Sequence, residues 1–162
     1  MTKLLITYGT RPLAHRLANL LQGKYEIVFG SSEEIPGLLL NTNKYFQIPT
    51  GVNSTYAHEI LKVCLDQGVE KVLPLGPMEL APLAEAKVLF EEYGIHILVP
   101  SLAVLEDISI IENPPASLPL VMVDNGELVL GTVDHQDALS KIEGLMLASD
   151  SGDEWALCCV NG

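Results

Sequence analysis

Three cysteines in 162 residues, two of them adjacent as Cys158-Cys159, are too few for a disulfide framework. Basic side chains are scarce as well. Nine Lys plus Arg stand against 21 Asp plus Glu, a formal charge of −12, which makes phosphate backbones and anionic membranes poor partners. No apolar run approaches the ~20 residues that span a bilayer. The opening Met1-Thr2-Lys3, followed by Leu4-Leu5-Ile6-Thr7-Tyr8-Gly9, lacks the apolar length and small-residue cleavage site of a signal peptide. There is no repeat, no low-complexity tract, no P-loop and no G-x-S-x-G. What is there is a 48% apolar chain with scattered Gly and Pro, long enough for one packed core and too apolar to be disordered. These features predict a soluble, cytoplasmic protein.

The first two thirds alternate between strand and helix patterns. Leu4–Tyr8 is a nearly continuous apolar run of the kind a strand buried on both faces shows. Leu13, Leu17, Leu20 and Leu21 then mark one face of a helix that ends near Gly23. Tyr25–Phe29 and Lys44–Ile48 read as strands. Asn53 or Ser54 can cap a helix with Ala57, Ile60, Leu61, Cys64 and Leu65 as its buried stripe, closed by Gly68. Val69–Leu75 is a fourth strand. Leu80–Tyr93 is helical, with Pro82 tolerable only in its first turn. Ile95–Val99 is a fifth strand, and Ser101 caps a short helix to about Ile108. The alternation predicts βαβ units: a Rossmann-like α/β domain over residues 1–112, its mostly parallel sheet covered by helices on both faces.

The pattern changes at Asn113-Pro114-Pro115-Ala116-Ser117, a short stiff linker. Asp124-Asn125-Gly126 between the apolar runs Leu118–Val123 and Glu127–Val133 is a strong hairpin signal. Asp134–Lys141 suits one or two helical turns, and Ile142–Ala148 with Trp155–Val160 suits a second hairpin. Residues 113–162 therefore read as a small antiparallel β unit (ββαββ-like) that packs on the first domain for stability. With one basic and eight acidic side chains this part carries −7 of the total charge, which reads as a solvated acidic face in preference to an acidic docking surface.

In an open parallel sheet, ligands bind beyond the carboxyl ends of the strands. That rule selects Gly9–Pro12, Gly30–Glu34 and Leu75–Glu79. In the first loop, Gly9, Thr10, Arg11 and Pro12 contain a single glycine and no G-x-G-x-x-G, which argues against a dinucleotide clamp. Arg11 can still pair bidentately with a carboxylate or phosphate, or be a solvated arginine in a tight turn. Residues 31–34, Ser31 among them, stand where a dinucleotide fold would place its ribose acid, but Glu33 and Glu34 come a little late and are more simply acids at a helix start. Glu79 is positioned either to hold a substrate amine or to stabilise the first turn of its helix. His15, His58, His96 and His135 share no metal spacing, and the turn cluster Asp134, His135 and Asp137 has no second His or Cys, so no metal site is expected. Cys64, Cys158 and Cys159 read as packing residues.

Residues Lys3 to about Asp107 resemble the N-terminal domain that precedes the ATP-grasp fold in biotin carboxylase, carbamoyl phosphate synthetase and related ligases. The resemblance lies in Lys3-Leu4-Leu5-Ile6-Thr7 with Gly9, in Val52-Asn53-Ser54-Thr55-Tyr56, and in Lys71-Val72-Leu73-Pro74-Leu75 through Glu79-Leu80. Tyr93-Gly94-Ile95 leading to Val99-Pro100-Ser101 completes it. It implies a Rossmann-like domain that contributes to a non-nucleotide substrate site, with Gly9–Pro12 as a substrate-edge loop and Glu79 matching an acid that meets the acceptor amine in some members. Family members continue with Asp-Lys after the Pro-Ser region. Here Glu106-Asp107 is followed by Ile108, and the last 50 residues cannot hold two ATP-grasp lobes.

The leading expectation is therefore a stand-alone, non-catalytic module. It binds a small metabolite through Gly9, Thr10, Arg11, Pro12, Ser31 and Glu79, or complements a separate ATP-grasp protein. No cofactor is predicted, while ATP and NAD stay open. Two other readings remain: a small nucleotide-binding enzyme acting on a phosphorylated or carboxylated metabolite through Arg11, and a structural homo-oligomer that self-associates through the β unit.

Overall fold

The computed structural model describes residues 1–133, 142–148 and 154–160. Its elements follow in chain order as β1 (Lys3–Ile6), α1 (Pro12–Leu20), β2 (Glu26–Ser31), α2 (Gly37–Leu40), β3 (Tyr45–Gln47) and α3 (Tyr56–Gln67). Then come β4 (Lys71–Leu73), α4 (Pro77–Glu85), α5 (Lys87–Glu92), β5 (His96–Ile97), α6 (Leu102–Asp107) and β6 (Ser109–Glu112). Two hairpin-forming pairs complete the chain, β7 (Val121–Asp124) with β8 (Glu127–Leu130) and β9 (Gly144–Ala148) with β10 (Trp155–Cys159). The expected α/β class is observed.

Strands β3-β2-β1-β4-β5 form an all-parallel sheet in the doubly wound order, with its switch point between β1 and β4. Alternation along the strands divides its side chains between two cores. Leu5, Val28, Val72 and Ile97 face Tyr56, Ile60, Leu61, Leu83 and Phe90 of α3, α4 and α5. Leu4, Ile6, Phe29 and Leu73 face Leu13, Ala14 and Leu17 of α1.

The second sheet has the order β6-β10-β9-β7-β8. It is mixed rather than antiparallel throughout, because β6 pairs parallel with β10. β6 comes from just before the proline linker and so joins the sheet of the residues that follow that linker. This strand escapes a sequence reading: four residues, mostly exposed, whose register partners lie 47 positions on. The predicted turn between β7 and β8 is present, with Asn125 and Gly126 at φ 53° and 81°, both positive as a two-residue type I′ connection demands. In this sheet Leu120, Met122, Leu145, Leu147 and Cys158 pack into the α1 side of the parallel sheet, while Val121, Val123, Met146, Leu157 and Cys159 belong to the other cluster. Arg16 of α1 fastens the linker by donating to the carbonyls of Pro115, Ala116 and Leu118, the last at 2.7 Å.

Three local expectations are corrected. The single helix over 80–93 is two, α4 and α5, meeting at Ala86. Because Pro77 opens α4 at its first position, Pro82 sits inside that helix rather than in its first turn. Leu20, Leu65 and Tyr93, read as buried, are exposed at 44%, 50% and 54%. The short α2 was not anticipated. The predicted turns over 134–141 lie outside the described residues. No helix among the described residues is long and apolar enough to cross a membrane.

Candidate functional site

At the carboxyl edge of the parallel sheet, the loops leaving β1 and β4 are stitched together by one carboxylate. Thr7, fully buried, continues β1 and donates its hydroxyl to Glu79 Oε1 at 2.5 Å, while its Oγ1 accepts the Leu75 N–H at 2.8 Å. Glu79 lies in the first turn of α4, where Oε1 also accepts the Gly76 N–H at 3.0 Å and Oε2 accepts the Tyr56 hydroxyl at 2.5 Å. Its own N–H returns to the Gly76 carbonyl at 3.0 Å, which makes the exchange a reciprocal helix cap. At 2% exposure Glu79 is shut away from solvent. Burial raises its pKa, and the hydrogen bonds from Thr7 and Tyr56 oppose that rise. Burial and the charge of Glu79 also push the Tyr56 phenol well up. The Glu79 carboxylate thus takes donors from Thr7 just past β1, Tyr56 of α3 and Gly76 at the start of α4.

Tyr8 sits at the switch point itself. Its φ of 52° is left-handed, a conformation that strains a bulky residue. Its ring lies against Gly76, where a Cβ would come within 2.3 Å of Tyr8 Cε2. The Arg11 guanidinium is 6.0 Å from the ring centroid. Burial, then the charge of Glu79, raise the Tyr8 pKa.

Outside this strained residue, three of the sequence candidates, Thr10, Arg11 and Ser31, come together around Glu33. Arg11 Nε and Nη2 grip Glu33 Oε1 and Oε2 at 2.7 and 3.1 Å, a bidentate pair. Thr10 Oγ1 is 3.4 Å from Glu33 Oε1, and Ser31 Oγ accepts the Glu33 N–H at 3.1 Å. The hydrogen bond from Arg11 lowers the Glu33 pKa. Pro12 occupies the first position of α1. Gly9 is required by packing, since a Cβ there would stand 2.3 Å from Phe29 Cβ. Glu79 is on the buried side of the same edge and does not join the Arg11–Glu33 group. Chemically, the rim offers a guanidinium paired with an exposed carboxylate, Glu33. It offers no thiol nucleophile, because burial holds Cys64, Cys158 and Cys159 up at about 12.

The amino edge carries a polar group that the sequence reading missed. Asp124, 5% exposed, takes the Tyr25 hydroxyl on Oδ2 at 2.6 Å and pairs there with the Lys71 ammonium. Beside them His96 Nε2 is 3.1 Å from Glu143 Oε1. Lys24, Tyr25, Lys71, Asp124 and Glu127 line a shallow cleft of ≈ 400 Å³ at this edge. Residues 25, 71, 96, 124 and 143 share no local spacing, so nothing short of the strand register announces them. Asp134, His135 and Asp137 lie outside the described residues. Comparison of the chain with protein-family models and with curated proteins finds no match.

Proposed function

We propose that this chain is a non-catalytic module, of the kind that precedes ATP-grasp lobes, and that it binds a small carboxylated or phosphorylated metabolite at the carboxyl edge between β1 and β4. The observation that carries this reading is Tyr8, a bulky residue held at φ 52° between Gly76 and the Arg11 guanidinium. Left-handed strain of this kind persists where surrounding structure over-determines it, and it concentrates at ligand sites. The sequence resemblance over residues 3–107 and the doubly wound strand order support the same edge. In this reading Glu79 is a positioning residue that holds both loops rigid. The ligand's anionic group displaces Glu33 from Arg11, and Thr10 and the amino end of α1 complete its hydrogen bonding.

The test is thermal unfolding against a panel of amino acids, phosphorylated metabolites, nucleotides and dinucleotides. A ligand at ~100 times its Kd adds about 2.7 kcal/mol, which for a chain this size raises Tm by roughly 5–10 °C. Arg11→Gln is expected to abolish the shift, and Tyr8→Asn, which tolerates a left-handed backbone, to reduce it. Glu33→Gln is expected to strengthen it by removing the competing carboxylate. The reading is overturned by a panel with no anionic ligand, by a shift indifferent to Arg11, or by ATP turnover at an enzyme-like rate.

A further inference from the structure

Strand register brings a second, separate constellation together at the amino edge. Lys71 of β4 and His96 of β5 are register partners and therefore share a face of the sheet. The alternation Leu120, Met122, Asp124 turns Asp124 of β7 toward that face. The two oxygens of Asp124 then meet different fates. Oδ2 takes the Tyr25 hydroxyl and the Lys71 ammonium. Oδ1 is buried and takes no hydrogen bond at all among the described residues. An orphaned carboxylate oxygen inside a protein demands an explanation, and a bound ion is one of the few available. The group Oδ1 faces is His96 Nε2 at 3.8 Å, too far for a hydrogen bond. Nε2 in turn is 3.1 Å from Glu143 Oε1, which also accepts the Asn125 N–H at 2.8 Å. One ligand atom from each of His96, Asp124 and Glu143 lies within 4.8 Å of the others.

We propose that His96 Nε2, Asp124 Oδ1 and the Glu143 carboxylate bind one divalent transition-metal cation of the zinc class. Two ligands at 2.0–2.1 Å from a tetrahedral ion stand about 3.3 Å apart, and the observed 3.1 and 3.8 Å separations bracket that value. One imidazole with two carboxylates is a borderline N/O donor set that suits zinc, whereas magnesium and calcium favour oxygen alone. The cation takes the place of the proton that otherwise bridges Nε2 and Glu143. Glu91 Oε1 stands 3.9 Å from His96 Nδ1, on the far side of the ring and beyond hydrogen-bond reach as placed. Tyr25 and Lys71 hold Asp124 from the opposite side, so Oδ1 is already oriented before any ion arrives. Three protein ligands leave a fourth position for water or a small anion.

The experiment uses the full chain, stripped with a chelator, dialysed, and titrated with Zn²⁺ by calorimetry and with Co²⁺ by visible absorption. One equivalent is expected to bind, with the intense visible bands of a tetrahedral Co²⁺ site and movement of the His96 Nε2 ¹⁵N resonance. His96→Gln and Glu143→Gln keep polar side chains of similar reach, and the second keeps the acceptor for Asn125. Both are expected to retain the metal-free melting temperature within a few degrees and to lose more than about tenfold in affinity. The proposal is overturned if neither ion binds stoichiometrically. It is equally overturned if the ion binds both variants as tightly as the parent, because the ion then sits elsewhere and the three residues form only an internal ion network.

Discussion

Glu79 shows what it takes to keep a carboxylate at 2% exposure: Oε1 takes the hydroxyl of Thr7, just past β1, and the Gly76 N–H at the start of α4, while Oε2 takes the hydroxyl of Tyr56 on α3. Removing the acceptor strands all three donors. Glu79→Ala is therefore expected to cost about 3–5 kcal/mol in urea unfolding, whereas a loss under 1 kcal/mol would mean that water replaces the carboxylate. Glu79→Gln keeps an oxygen for Thr7 and Gly76 and removes the charge. Burial sets the folded pKa of Glu79 above its ordinary 4.5, so the folded state holds this proton more tightly than the unfolded state. Its contribution is fully present below the ordinary value and is lost as pH rises through the raised one. The difference in stability between parent and Glu79→Gln, followed from pH 4 to pH 8, is expected to move in favour of the variant as pH rises. A flat difference would show that the hydrogen bonds offset the burial, and a shift in favour of the parent that they outweigh it.

At the scale of elements, the carboxyl edge is built by loops that approach backbone to backbone. Gly51, in the connection from β3 to α3, lies so close to the start of α4 that a Cβ would be 2.6 Å from the Met78 carbonyl and 2.8 Å from the Glu79 N–H. Neither group is the free end of a side chain, so neither can step aside without moving α4. Gly51→Ala is expected to destabilise by about 1–3 kcal/mol through overpacking, and to weaken any ligand shift at the switch point. Gly37→Ala at the start of α2 is the contrasting case. A Cβ there meets nothing within 4 Å, and the gain in helix propensity is expected to stabilise by about 0.5–1 kcal/mol. Chemical denaturation of the two variants side by side checks both signs. The exposed Arg11–Glu33 pair, by contrast, adds little to stability. Its interest lies in what can compete for the arginine.

For the whole molecule, the two sheets are not independent. Leu4, Ile6 and Leu73 of the parallel sheet pack in one cluster with Leu120, Met122, Leu145 and Cys158 of the mixed sheet, and β6 lends a strand from before the linker to the sheet formed after it. Calorimetry is expected to show a single transition, with the calorimetric enthalpy equal to the van't Hoff value. A chain cut after Glu112 exposes the α1-side core and leaves β6 without its partner. It is expected to lack the near-ultraviolet circular dichroism and dispersed amide resonances of a packed protein. Two separate transitions, or a well-dispersed spectrum from residues 1–112, would show instead that the parallel sheet folds alone.

How much of this was legible beforehand depends on the range of the interaction. The stripe Leu13, Leu17 and Leu21, the stop at Gly68, the Asn125-Gly126 turn and the five parallel strands were readable, because each is dictated by the backbone preference and the burial of residues that neighbour one another along the chain. Periodicity gave a face but not its edges, which is why Leu20, Leu65 and Tyr93 were placed inside and stand outside. The carboxyl-edge loops were legible as a place, through the rule for parallel sheets, while the pairing of Arg11 with Glu33 and the enclosure of Glu79 were not. Composition and local pattern by themselves determined the class of fold, the acidic balance and the hairpin. Only tertiary structure decided that Glu79 faces inward, that β6 crosses to the second sheet and that His96, Asp124 and Glu143 meet. Those contacts join residues tens of positions apart, and their register is set by the packing of whole sheets rather than by any preference written at the residues themselves.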